Sequence, residues 1–159
     1  MADEKVMRHA RSVYATICET FDDRNWSYDR DDEELIIRSG VQGDDLPMHL
    51  RIKVEPNLQI VSLYSHLPFD ISEDDIVMMT VAVCAANLNM VNGNFDFNIR
   101  NGNLLFRMTS SFKESLLSKE MFDYMIDIAC MTVDHYNDKF EKLIKHEITL
   151  EDFVNYTKE

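Results

Sequence analysis

Apolar residues recur along this chain with two different periods, and the changes of period mark out its elements. Val6, Ala10, Val13, Ile17 and Phe21 return every three or four positions, which predicts a helix from about residue 3 to 22 with one buried face. Trp26 and Tyr28 then alternate with polar residues as a short strand. The charged run Asp29-Arg30-Asp31-Asp32-Glu33-Glu34 reads as a turn before Leu35-Ile36-Ile37 begins another strand. Met48, Leu50, Ile52 and Val54 alternate with His49, Arg51, Lys53 and Glu55, the period of two of a half-buried strand. Pro56-Asn57 supplies a turn, and the residues from Leu58 to Tyr64 return as the next strand.

A second helix is announced by its N-terminal chemistry. Ser72 is a suitable cap, Glu73, Asp74 and Asp75 fill the first turn where the helix dipole favours negative charge, and Ile71 and Ile76 form a staple pair. From Ile76 to Ala86 the helix is apolar nearly all round, so it needs cover on more than one side. Phe95, Phe97 and Ile99 alternate up to Asn101-Gly102, and Leu104, Phe106 and Met108 alternate away from it. That pattern predicts a hairpin on a two-residue turn, with Phe97 opposite Phe106, Ile99 opposite Leu104, Phe95 opposite Met108 and Asp96 opposite Arg107. Ser118 caps a long closing helix whose stripe is Phe122, Met125, Ala129, Val133, Tyr136, Phe140 and Leu143. A short capped helix at Thr149-Leu150-Glu151-Asp152-Phe153-Val154 could dock Leu150 and Phe153. The order is helix, three or four antiparallel strands, helix, hairpin, long helix. Its class is therefore α+β, with residues 1–147 as a single domain and 148–159 as a short helical tail.

Charge narrows the function. The 159 residues include 29 acidic and 16 basic side chains, a formal net charge of −13. Such a chain repels phosphate backbones and anionic lipid, which argues against nucleic-acid and membrane partners. Cys18, Cys84 and Cys130 are widely spaced in apolar stretches, with no CxxC pair and no Cys/His quartet, so they read as small buried hydrophobes. The charged N-terminal residues Met1 to Lys5 lead straight into an amphipathic helix, which points to the cytoplasm.

Chemistry-bearing motifs are few. The acidic run from Asp29 lacks the glycine that a calcium loop needs at its sixth position, where Glu34 stands. Asp123, Asp127, Asp134 and Asp138 share a face of the closing helix and read as a solvated surface. The histidines show no zinc spacing, and neither a GxSxG nor a P-loop occurs, so no catalytic, metal or cofactor residues are assigned. The polar face of the third strand is more informative. His49, Arg51 and Lys53, joined by Ile60 and Tyr64 of the returning strand, form a candidate partner-binding face. Ile76, Met79 and Val83 are the candidate dimer interface on the apolar second helix.

In Asn87-Leu88-Asn89, Gly93, Phe95-Asp96, Gly102 and Phe106-Arg107, followed by Asp134 and Tyr136 late in the closing helix, the chain resembles the YbjN family, whose domain is similar in fold to type III secretion chaperones. The resemblance covers about residues 3–146. The first half matches in element order and in its Trp26 strand, and the tail from Ile148 lies outside. Asp138 stands where many relatives have proline, so the closing helix is expected to run on unbroken. The resemblance implies a sheet packed on helices, often in a homodimer. The secretion chaperones are small, acidic and non-enzymatic and wrap segments of client proteins; YbjN-like proteins are described as sensory or regulatory without a defined activity. The expectation is thus a non-enzymatic, chaperone-like or regulatory homodimer with a protein or peptide client. The alternative is a small ligand-binding protein or enzyme whose site is assembled from distant residues such as His49, His66 and Asp134.

Overall fold

In a computed structural model, residues 3–88 and 90–158 are described. Among these residues four α-helices, α1 (Glu4–Asp23), α2 (Ile76–Asn87), α3 (Lys119–Ile144) and α4 (Leu150–Tyr156), and a single 3-10 turn at Glu73–Asp75 accompany six strands. The strands are β1 (Asp29–Asp31), β2 (Ile36–Gln42), β3 (Pro47–Glu55), β4 (Ile60–Leu67), β5 (Asn94–Asn98) and β6 (Asn103–Ser111). The predicted α+β class holds. The hairpin does not stand apart, however: β6 pairs with β4, so all six strands make one antiparallel sheet in the order β1-β2-β3-β4-β6-β5.

Alternation decides which side of that sheet is covered. Met48, Leu50, Ile52 and Val54 of β3, Val61 and Leu63 of β4 and Phe106 of β6 point to one side and are buried there. Helices α1 and α3 lie over this side, contributing Ala10, Val13, Ile17 and Phe21 from α1 and Phe122, Met125, Ala129, Val133, Phe140 and Leu143 from α3. Each fully buried Phe or Leu of this layer contributes roughly 1.5–3 kcal/mol relative to exposure. Among the described residues no helix lies on the opposite side of the sheet.

Helix α3 runs unbroken for 26 residues through Asp138, as the missing proline allows. Ser118 caps it, accepting the Met121 N–H, and Thr149 caps α4 in a reciprocal capping box with Asp152. Helix α4 is anchored by Phe153, whose ring is fully buried with its centroid 4.9 Å from that of Phe140, itself 5.2 Å from Phe95. Leu150 is half-buried beside it.

Four local expectations are corrected. The Asp29–Asp31 segment is strand, not turn, and Trp26 precedes it outside any strand; the turn falls at Asp32–Leu35. Second, the hairpin register differs from the predicted one by two residues: Phe95 faces Phe106, Phe97 faces Leu104 and Asn98 faces Asn103. Asn98 and Asn101 start side-chain turns by accepting the N–H groups of Arg100 and Asn103, and the Asn98 carbonyl accepts from Gly102, so four residues are taken into the loop. Asp96 and Arg107 still meet, diagonally, at 2.6 Å. Third, the cysteines do not share one environment, since Cys18 is buried, Cys130 half-buried and Cys84 exposed.

Fourth, the aspartates expected on a solvated face of α3 are engaged. Arg24, at the end of α1, donates to Asp123 at 2.6 Å and to Asp127 at 2.8 Å, tying α1 to α3. Asp134 accepts the backbone N–H of Asp44 at 2.9 Å, pinning the loop between β2 and β3. Asp138 is buried against Lys139 at 2.6 Å and Lys142 at 2.8 Å.

Candidate functional site

The residues that carry the resemblance do structural work around β5. Asn87, the last residue of α2, donates Nδ2–H to the Phe95 carbonyl and accepts the Phe95 N–H at Oδ1, each at 2.8 Å. A side-chain amide thus occupies the backbone groups that an edge strand otherwise offers to another chain. Gly93 has φ +75°, and a Cβ there would press on Phe106 and Met108, so only glycine lets the chain enter β5 so close to β6. Asn89, in the same motif, lies outside the described residues.

The open side of the sheet brings together all five residues expected on a partner-binding face. His49, Arg51 and Lys53 lie on β3, and the register sets Tyr64 opposite Arg51 and Ile60 opposite Glu55 on the same side. Register also extends this face beyond those five. Asp29, Arg38, Arg51, Tyr64, Arg107 and Asn94 form one row across all six strands. A neighbouring row runs Gly40, His49, His66, Leu105 and Asp96. The Arg51 guanidinium lies 5.9 Å from the centre of the Tyr64 ring, within cation–π range. Over Gly40 the lack of a side chain leaves a hollow of about 370 Å³, bounded by Ser27, Asp29, Arg38 and His49 among others.

The electrostatics of the face differ from those of the rest of the molecule. Carboxylates outnumber cations 29 to 16, and eight of the sixteen cations lie in ion pairs: Arg8, Arg24, Arg30, Arg107, Lys119, Lys139, Lys142 and Lys145. Among the described residues no carboxylate lies within 4.0 Å of Arg38, Arg51 or Lys53. Sequence reading left Arg38 out and set Arg107 opposite Asp96 without joining it to this face, because nothing in it sets the β2–β3 and β4–β6 registers.

On α2 the candidate interface is placed differently. Met79 (0% exposed) and Val83 (6%) point into the chain's own core, and Ile76 is half-buried. The outward stripe is Val77 (75% exposed), Val81 (44%), Cys84 and Leu88 (80%), at spacings of four, three and four, with Val91 beyond the helix. A helix apolar all round has no phase from which sequence could choose the inner side.

The distant-residue site is not assembled. His49 and His66 are cross-strand neighbours on the open face, while Asp134 belongs to α3 over the other face and is held by Asp44. Among the described residues no group of three or more His, Cys, Asp or Glu is placed to hold a metal ion, and no helix is long and apolar enough to cross a membrane.

Comparison with known proteins agrees with this architecture. None of the curated proteins matches the sequence. The crystal structure of YbjN from E. coli, titled "a putative transcription regulator", superposes with a TM-score of 0.55 at 11% identity, over 76% of this chain and 85% of that one. A chain of the HopA1–SchA chaperone–effector complex superposes with a TM-score of 0.54 at 10% identity, over 83% of this chain and 97% of that one. At such identities the likeness is one of fold. The YbjN family model, described as "Putative bacterial sensory transduction regulator", matches residues 14–142, from the middle of α1 to the last turn of α3. With that span covered and the Asn87, Gly93 and Asp96–Arg107 positions explained by the structure, the chain belongs to the YbjN family.

Proposed function

We propose that the protein is a non-enzymatic protein-binding module, chaperone-like or regulatory, that works as a homodimer. The observation that carries this reading is the outward stripe of α2, where Val77, Val81, Cys84 and Leu88 stand in water on one side of a helix whose other side is already buried. A second copy laid against the same stripe is self-complementary, since a two-fold axis brings identical patches together. The fold likeness to a chain from a chaperone–effector complex, and to a structure titled as a regulator, supports a role in holding another protein over a role in catalysis.

Sedimentation equilibrium from low to high micromolar concentration tests the dimer. The wild-type chain is expected at twice its 18.6 kDa mass, and Val81→Asp at the monomer mass with unchanged far-UV circular dichroism. Thiol labelling gives a second readout, because Cys84 becomes slower to react as protein concentration rises. A wild-type monomer throughout, or a Val81→Asp variant that remains a dimer, overturns this placement.

A further inference from the structure

We infer that the open face of the sheet is a docking surface for an acidic, extended polypeptide segment, with Arg38, Arg51 and Lys53 as its charge contacts and Tyr64 as its aromatic anchor. This deepens the protein-binding reading and rests on it. The first ground is charge complementarity. In a chain with 13 more negative than positive charges, a cation without a carboxylate neighbour is a site the chain has not neutralised itself. Three such cations stand side by side: Arg38 is the cross-strand partner of Arg51, and Lys53 is two residues along the same strand. Asp29 and Asp31 on β1 and Asp96 on β5 lie at the margins of this face, and Asp96 is taken by Arg107; Glu55, at the end of β3 beyond Lys53, accepts the Ser62 hydroxyl at 3.0 Å.

Spacing is the second ground. Side chains on one face of a strand repeat at about 6.8 Å, and neighbouring strands lie about 4.8 Å apart. An extended segment with carboxylates at alternate positions repeats at the same 6.8 Å, so consecutive acids can meet Arg51 and Lys53 while a third reaches Arg38. A helix, which presents one side at 3.6-residue intervals, does not match that lattice.

Sheet edges are the third ground. Segments that bind by adding a strand need a free edge. At β5 the Asn87 side chain already takes both backbone groups of Phe95. At the other end β1 is only three residues long, Asp-Arg-Asp, the short charged strand that discourages pairing. A segment meeting this sheet is directed to its face.

Fluorescence anisotropy with the full chain tests the inference. The probe is a fluorescein-labelled peptide of about ten residues, enough to cross the face, with Glu alternating with Thr. Comparison probes are the same peptide with Lys for Glu, and a single-stranded oligothymidylate of matched length. The Glu peptide is expected to bind saturably. Arg51→Glu and Lys53→Glu are each expected to weaken binding about tenfold, with the milder Arg51→Gln and Lys53→Gln intermediate if reversal harms folding. Arg100→Glu, an equal change of net charge on the exposed hairpin loop, is expected to leave binding unchanged. Equal binding of the Lys peptide, equal weakening by Arg100→Glu, or no binding of the Glu peptide overturns the inference. Tighter binding of oligothymidylate overturns it in favour of a polyanion site. The protein-binding reading fails separately: a dimer by sedimentation that ignores the Glu peptide rejects only the acidic occupant.

Discussion

Replacing Asn87 with alanine removes the two 2.8 Å hydrogen bonds that join the end of α2 to the backbone of Phe95. Each bond between neutral groups contributes about 0.5–1.5 kcal/mol net, so the pair accounts for about 1–3 kcal/mol. For a chain of this size about 1 kcal/mol moves Tm by roughly 2–4 °C, which sets the expected fall at roughly 2–12 °C, measured at fixed protein concentration. Asn87→Asp keeps the acceptor for the Phe95 N–H but turns an oxygen toward the Phe95 carbonyl, so it is expected to cost at least as much. Urea unfolding followed by Trp26 fluorescence gives the stability. Hydrogen exchange at the Phe95 amide gives the location, because the exchange should quicken there far more than at β3 amides in the sheet centre. If both variants unfold like the wild type and the Phe95 amide keeps its protection, the side chain does not hold that edge, and β5 is open to strand addition.

Three further outcomes are expected. Phe153→Ala is expected to cost about 3–5 kcal/mol in urea unfolding, because its fully buried ring packs on Phe140; a loss below about 1 kcal/mol means that α4 is an accessory and not part of the core. Gly43→Ala places a Cβ against Asp134 Oδ1 and 2.7 Å from the Leu46 carbonyl, so it should destabilise, and adding Asp134→Ala should restore part of the loss; simple additivity in the double-variant cycle refutes the contact. For Asp138, burial alone raises the carboxyl pKa, but hydrogen bonds from Lys139 and Lys142 outweigh it and hold the group below the ordinary value of 3.8. Its contribution is therefore complete above that value and lost as pH falls through the lower, folded-state value, so Asp138→Asn should flatten the acid limb of a Tm–pH curve; an unchanged limb rules the group out as its source.

Where burial imposes a period, sequence reading and structure agree. The α1 and α3 stripes and the β3 alternation each follow from one covered side, and Ile60 and Tyr64 join the face of Arg51 as expected, although the turn takes four residues and β4 begins at Ile60 and not at Leu58. Disagreement falls where several local solutions compete or where a partner is distant. Asn98 and Asn101 offer side-chain turns that rival the two-residue Asn-Gly turn, and the longer loop wins. Arg24 meets Asp123 across 99 positions, a pairing no local pattern reports, so carboxylates that look solvated are bound. The inner side of α2 is chosen by its neighbours, which is why Met79 and Val83 face the core. The basic alternation of β3 was legible, whereas its extension to Arg38 and Arg107 depends on registers that only the assembled sheet defines.

The two helices that cover the sheet come from opposite ends of the chain, and this shapes how the molecule is made. Strands β1 to β4 follow one another and end at Leu67, but α3, which shields the same face, ends at Ile144. At about 5–20 residues per second, synthesis delivers the last turn of α3 roughly 4–15 s after Leu67. For that interval Leu50, Ile52, Val61 and Leu63 have only α1 for cover, and the edge of β4 waits for β6, which reaches it only after α2 and β5 have been made. Exposed apolar surface and an unpaired strand edge make the emerging half-sheet the stage of synthesis most open to aggregation. Refolding from denaturant, with every segment present at once, is free of that delay.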